Sequence, residues 1–208
     1  MVDDQPWPAR WVACAEAFGH DTACRDHVAG SGLWSFAEVP QETRVWLERP
    51  LPGGPAWSGR GRQPRRERLG DGQHEAEAVA SLAARVLPAQ WQRRVSKEGS
   101  KGPMVADLWA TRVVAVRDGL PGPEVCLGLR RHSETEALKT SVGNAPASVS
   151  LATLARLSGM RWPMATCVED SQQYLGMGDD EVRSWRGWHH HMTLCILAPF
   201  FLVRQQQR

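Results

Sequence analysis

The order of apolar and polar residues divides the chain into a strand-rich first part and a helical last part. Six short segments that are continuously apolar, or that alternate between apolar and polar residues, predict β-strands at residues 11–18, 33–40, 43–50, 109–118, 124–131 and 138–144. The turn-forming sequence DGLPGPE between the fourth and fifth segments predicts a hairpin loop. Strands early and helices late predict an α/β or α+β domain.

Helical spacing of apolar residues dominates the remainder of the pattern. Residues 22–31 are weakly helical, and in residues 74–87 Val79, Leu82 and Val86 recur on one face. Capping serines and apolar periodicity predict three late helices, which run from Ser150 to Leu157, from Arg161 onward and from Ser184 to about Arg204. Pro199 lies inside the last helix, where an interior proline costs about 3 kcal/mol.

Length and composition indicate an ordinary globular protein. The chain has 208 residues, 42% of them hydrophobic, and a net charge of +2. Its five cysteines show no paired spacing, which is typical of a reducing compartment. The first ten residues lack the apolar core of a signal peptide, and the longest apolar run, residues 195–203, is too short to span a bilayer. We therefore expect a cytoplasmic protein without a membrane partner.

Two groups of cysteine and histidine residues require a test for metal binding. Among Cys14, His20, Cys24 and His27, the last two form the single close pair, and the spacing does not match a zinc module. Three consecutive histidines at 189–191 diverge by about 100° per residue on a helix, so they cannot converge on one ion. We expect one packed histidine, two solvent-facing ones and no metal site.

A loop rich in glycine, proline and arginine covers residues 51–73 and has no hydrophobic periodicity. Its segment SGRGRQPRRER carries five arginines, Arg60, Arg62, Arg65, Arg66 and Arg68. Guanidinium groups on a flexible loop can reach successive phosphates of a nucleic acid, and Lys97 and Lys101 could extend that surface. The alternative is a solvated basic loop without a ligand. No motif for Ser/His/Asp catalysis or nucleotide binding is present.

Longer stretches resemble one family. The matching stretches are LWSFAEVPQETRVWLERP, PAWSGRGRQPRRERL, KEGSKGPMVADLWATRVVAVRDGLPGPEVCLGLRRH, LKTSVGNAP, LARLSGMRWP and DEVRSWRGWHHHMTLCILAPFFLVR. Together they resemble the C-terminal half of the DDE transposases of bacterial insertion sequences. The resemblance runs from about Trp11 to Arg204 and implies a partial RNase H-like α/β fold. It implies a remnant of the catalytic core at 1–32, a β-rich insertion at 33–148 that contains the arginine-rich loop 58–68, and a helical part at 149–208.

The resemblance also identifies the positions where catalytic residues belong. Such enzymes use three carboxylates to hold two Mg²⁺ or Mn²⁺ ions, which activate the nucleophile and stabilise the leaving oxygen. In the family pattern R-W-x-x-E, with a Lys seven residues after the Glu, Arg161 is retained but Ala165 occupies the Glu position and Gln172 the Lys position. In the pattern around the second Asp, Ala15 occupies the carboxylate position. The first Asp belongs to the upstream half of the family sequence.

Neighbouring carboxylates are poor substitutes for the missing ones. Glu16 adjoins Ala15, and adjacent side chains on a strand point to opposite faces. Glu169 lies one turn beyond Ala165, about 5–6 Å away between Cβ atoms, whereas metal ligands must be placed within tenths of an ångström. We therefore expect a catalytically inactive transposase remnant without a cofactor.

Arg161 would support a phosphate or the missing Glu, and the arginine loop with Lys101 is the expected DNA contact. The alternative is a non-enzymatic DNA-binding protein or one that associates with a full-length transposase. A globular domain without a partner is the third hypothesis, which the specific motif matches disfavour.

Overall fold

A computed structural model describes residues 10–53, 59–60, 68–70, 72, 74–99, 102–132, 137–179 and 181–206. Within these ranges the chain is a mixed α/β protein with an eight-stranded mixed sheet, a small two-stranded sheet and six α-helices. It divides into two compact units, Met1–Gly159 and Met160–Arg208. The first unit holds both sheets and the first four helices, and the second holds the last two helices.

The ten strands of the described ranges are β1 Trp11–Cys14, β2 Trp34–Val39, β3 Arg44–Trp46, β4 Pro52–Gly53, β5 Arg68–Leu69, β6 Glu77–Ala78, β7 Gln92–Gly99, β8 Gly102–Arg117, β9 Leu120–His132 and β10 Leu138–Gly143. The helices are α1 Glu16–Gly19, α2 Thr22–Gly30, α3 Val79–Ala84, α4 Leu151–Ser158, α5 Arg161–Tyr174 and α6 Trp185–Gln206, and a 3₁₀ turn covers Pro88–Gln90.

The main sheet combines one parallel pair with an antiparallel meander. Its strand order is β1-β2-β10-β9-β8-β3-β6, and β7 also pairs with β8. Strands β1 and β2 are parallel and are connected through α1 and α2, whereas all the other described pairs are antiparallel. The long β8–β9 hairpin turns at Asp118 and Gly119, which have φ angles of 51° and 79°. Positive φ at both central residues is typical of a tight turn that matches the strand twist.

Helices cover both faces of the main sheet. The largest core cluster joins Val79 and Leu82 of α3 to Leu127 of β9, while a second cluster joins Leu154 of α4 to Cys126 of β9. Cys126 and Leu127 are consecutive in a strand, so they point to opposite faces of the sheet. The sheet is therefore packed between α3 on one side and α4 on the other.

The α/β class and most predicted elements are confirmed, with corrections to several strands. The strand predicted over 43–50 is limited to Arg44–Trp46, and the one predicted over 109–118 already begins at Gly102, where it pairs with β7. The first strand ends at Cys14 rather than at residue 18, because α1 begins at Glu16. The prediction that Glu16 lies on a strand is therefore wrong. Strand β7 was not predicted, since QRRVSKEG lacks apolar alternation. The predicted hairpin loop is shorter than expected, because residues 120–124 already belong to β9.

Predicted helices are confirmed at their capped ends. Ser150 accepts a hydrogen bond from the backbone N–H of Thr153 at the start of α4, and the Ser184 hydroxyl accepts one from Gly187 N in α6. The helix predicted over 74–87 is wrong in its bounds: α3 begins at Val79, since Glu77 and Ala78 pair with β3. Pro199 lies inside α6 as the sequence predicts.

The second unit consists of α5, α6 and the segment between them. Cys195 of α6 is buried, and its Sγ lies 3.4 Å from the carbonyl oxygen of Leu175, the residue that caps α5. His191 Nε2 lies 3.0 Å from the carbonyl oxygen of Gly176. One face of α6 is thereby attached to the end of α5. Among the described helices, none is long and apolar enough to cross a membrane.

Candidate functional site

Ala15 lies directly after the parallel strand β1, at the position where the resemblance implies an Asp. Its backbone is extended, with φ −71° and ψ 165°, and it forms the N-cap of α1 without a side-chain hydrogen bond. Gly19 ends α1 so close to β2 that an added Cβ would lie 1.7 Å from the carbonyl oxygen of Glu38. This contact fixes α1, and with it Ala15, beside the last residues of β2.

A polar cavity of about 330 Å³ lies at this end of β2. Glu16, Glu38 and Glu42 contribute carboxylates to its lining, and Lys139 contributes an ammonium group. Glu38 is buried, and its Oε2 lies 3.7 Å from Lys139 Nζ. Burial also lowers the pKa of nearby Arg130, an effect that Glu38 partly offsets. Of the three carboxylates in the lining, Glu38 is therefore paired with Lys139.

The described residues include no group of three His, Cys, Asp or Glu side chains that could hold a metal ion. Glu16 is exposed on α1 of the first unit, and Glu169 is exposed on α5 of the second unit. Gln172 is also exposed on α5. Arg161 begins this helix and Ala165 lies one turn later, but the side chains of residues 161–166 lie outside the described part.

The first cysteine and histidine group does not form a metal site in the described structure. Burial raises the pKa of the Cys14 thiol, with a smaller contribution from Cys24. His20 Nδ1 lies 3.0 Å from the carbonyl oxygen of Glu16. This contact with a backbone carbonyl oxygen gives His20 a local structural role at the end of α1.

The three consecutive histidines diverge as the helical geometry predicts. His191 is partly buried, with its Nε2 3.0 Å from the Gly176 carbonyl oxygen and 3.6 Å from Cys195 Sγ. His189 and His190 are exposed, and His189 packs edge-on against Trp185 and Trp188. Donation of the Nε2 proton to a carbonyl gives His191 a structural role and leaves it unable to act as a base toward Cys195 at that nitrogen.

The ends of the arginine-rich loop are joined by a short antiparallel pair. Pro52 pairs with Leu69 and Gly53 with Arg68 in the two-stranded sheet β4–β5. Gly53 approaches Gly70 closely: an added Cβ would lie 2.9 Å from the Gly70 Cα. Arg60 and Arg68 are exposed to solvent. The other predicted DNA contacts, Arg62, Arg65, Arg66 and Lys101, lie outside the described residues.

Sequence reasoning missed a second group of arginines, on β7 and β9. Arg93 and Arg131 flank Asp107 of β8, at 3.1 Å and 3.7 Å between nitrogen and oxygen. The Arg131 guanidinium also lies 4.6 Å from the ring centroid of Trp91. Arg94 donates to Gln92 Oε1 and to a backbone carbonyl, without a described carboxylate partner. The adjacent arginines in the sequence were the available signal, but the location of β7 was not predicted.

Comparison with protein-family models gave no match to this chain, and comparison with curated proteins gave no match either. The transposase resemblance therefore rests on the sequence motifs alone.

Proposed function

We propose that this chain is a catalytically inactive relative of insertion-sequence DDE transposases that binds DNA without cleaving it. The observation that carries the proposal is the position of Ala15, which follows β1 of the parallel pair and presents a methyl group where the resemblance implies a metal-binding Asp. Ala165 of α5 likewise replaces the implied Glu. A two-ion mechanism requires carboxylates at these positions.

The order of the elements supports a partial RNase H-like fold. A parallel strand–helix–strand unit comes first, a run of antiparallel strands follows, and the chain ends in helices. This is the succession that the resemblance implies for a core remnant, a β-rich insertion and a helical part. The five cysteines are all free thiols, which supports a cytoplasmic location for this function.

Exposed arginines support DNA as the partner. Arg60 and Arg68 flank the arginine-rich segment, and Arg94 adds a cation without a described carboxylate partner. Arginine forms charge-assisted hydrogen bonds with phosphate oxygens, and such contacts position a protein on DNA without reading its sequence. We therefore propose binding that depends strongly on salt and weakly on sequence.

Replacement of all five loop arginines by alanine tests this proposal. The matched control is Arg85→Ala, because Arg85 is an exposed arginine that is paired with Glu77 at 2.6 Å. Fluorescence anisotropy with a labelled duplex, measured over a range of salt concentrations, gives the slope of log K against log salt. Each lost phosphate contact should reduce that slope by about 1. An unchanged slope in the loop variant, or absent binding at low salt, would refute DNA binding through the loop.

The second candidate is association with a full-length transposase, which the outer face of α6 favours. Leu197, Phe200 and Phe201 are each more than half exposed, at 53%, 60% and 61%. A helix that is apolar beyond its packed face is typically covered by another protein surface. We propose a second test with Phe200→Ser/Phe201→Ser, in which co-purification with a full-length transposase is lost. The control Leu87→Ser alters an exposed leucine of the first unit and should retain co-purification.

A further inference from the structure

The main sheet contains a gap beside β8. Strand β7 pairs with β8 as far as Leu108, and β3 pairs with β8 from Val114 onward. On that side, residues 109–113 have no ladder partner among the described strands, although β9 pairs with them on the other side. Alternate residues of an antiparallel strand direct their N–H and C=O groups to opposite sides. Val113 is buried, at 1% exposure, so two of residues 109–112 present unpaired backbone groups to the gap.

A cavity of about 490 Å³ opens along this unpaired segment, a volume typical of ligand pockets. Its apolar lining comes from β8, β9, α4 and the loop before α4, through Trp109, Ala110, Cys126, Val149, Leu151 and Leu154. All of these elements belong to the first compact unit. The cavity thus combines an apolar lining with a row of backbone hydrogen-bonding groups.

The polar groups at the cavity carry no net unpaired charge. Arg112 lines it, but its Nε donates to Glu124 Oε1 at 2.7 Å and its Nη1 to the Ala145 carbonyl oxygen at 2.7 Å. Gln90 and Gln92 contribute neutral amides, and the lining contains no carboxylate. An uncharged ligand with amide groups fits this lining better than an anion or a cation.

We propose that this gap binds an extended, uncharged peptide segment of a partner protein, about four residues long, as an added strand. Four lining positions, residues 109–112, at about 3.4 Å per residue span about 14 Å, which accommodates four residues. The gap-facing backbone groups of residues 109–112 would pair with the peptide backbone, and the apolar lining would hold alternate small side chains. Neither Ala15 nor the described arginines of the loop, Arg60 and Arg68, contribute to the cavity lining, so this inference does not depend on DNA binding.

A nuclear magnetic resonance titration of the full chain with N-acetyl-Val-Ala-Val-Ala-amide tests the proposal. We expect saturable shifts of the backbone amides of residues 109–112. A second peptide, N-methylated at alternate amides, cannot complete the ladder and should bind at least about tenfold more weakly. Absence of saturable binding at millimolar peptide would overturn the proposal. Equal binding of both peptides would also overturn it, because the site would then be an apolar pocket and not a strand acceptor.

Matched variants locate the binding. Ala110→Phe fills the cavity and should weaken binding at least about tenfold, whereas Ala152→Phe, at an exposed position of α4 outside the lining, should leave it within about twofold. The spectra report the folding of each variant. If Ala110→Phe does not fold, Ala147→Trp, at another residue of the lining, replaces it. Full affinity in the folded cavity variant would refute the proposed location.

Discussion

Two helices of this protein use their apolar residues in different ways. Helix α4, in the first unit, buries Leu154, Ala155 and Leu157 against the sheet. Helix α6, in the second unit, is nearly three times as long, yet Cys195 is its one buried residue among those described. The difference shows that apolar content alone does not define a core: a helix stabilises a fold through the face that finds a partner.

The outer face of α6 shows the difference from α4 most clearly. Leu197, Phe200 and Phe201 recur at helical spacing and are exposed, as are Leu194 and Ile196. This stripe is the surface through which we propose association with another protein. The first unit therefore carries its own core, whereas α6 of the second unit buries Cys195 alone among its described residues.

The largest expected effect comes from equal truncations in the two helices. Leu154→Ala should destabilise the first unit by about 2–5 kcal/mol, because it removes a buried side chain and leaves a cavity. Leu197→Ala, at a side chain that is 53% exposed, should change stability by about 0.5 kcal/mol or less. Urea unfolding measures both. Similar losses of unfolding free energy in the two variants would contradict the proposed difference between α4 and α6.

The proline inside α6 should weaken the second unit. Pro199→Ala restores a backbone donor and removes a steric clash, so it should stabilise α6 by up to about 3 kcal/mol. The stabilisation should appear as slower amide hydrogen exchange of residues 192–204. Pro88→Ala, in the 3₁₀ turn of the first unit, serves as the control and should not change exchange in α6. Unchanged exchange in Pro199→Ala would show that the helix is already adapted to the proline.

The two capping serines allow the same comparison between α4 and α6, with a smaller expected change in stability. Ser150→Ala and Ser184→Ala each remove one hydrogen bond to a helix N-terminus, and each should cost about 1 kcal/mol. Exchange measured separately in α4 and α6 should report each loss in its own helix. Slower exchange or no change in either helix would contradict the assigned caps.

The smallest effect is a loss of stability at alkaline pH. Burial raises the pKa of the Cys126 thiol above its ordinary value of 9.0. Above that value the unfolded chain loses this proton before the folded chain does, so stability falls as the pH rises towards the folded-state pKa. The slope is at most about 1.4 kcal/mol per pH unit for one thiol. Cys126→Ala should flatten the profile, and an unchanged profile in this variant would contradict the role of the Cys126 thiol.

Elements with a strong local signal could be predicted from the sequence. The serine caps and apolar spacing placed α4 and the start of α6, and alternation placed β2 and most of β9. The helix over 74–87 was predicted too long, because Glu77 and Ala78 gain strand partners in β3 that local propensity does not reveal. Strand β7 depends in the same way on its pairing with β8.

The candidate sites also differ in whether the sequence alone could identify them. Ala15 and Ala165 were identified from motif positions in the sequence, and the structure places them after β1 and in α5. The gap beside β8 could not be predicted, because it depends on where β7 stops pairing and β3 begins. Such a feature is a property of strand register, to which no single residue type corresponds.

The central proposal is a folded protein that lacks the metal-binding carboxylates implied by its resemblance to transposases. A thermal melt of the full chain with and without millimolar Mn²⁺ tests it most directly. We predict a cooperative transition at the same temperature in both conditions. A bound ion at 100 times its dissociation constant would add about 2.7 kcal/mol, which corresponds to a rise of roughly 5–10 °C for a protein of this size. Such a rise would contradict the account.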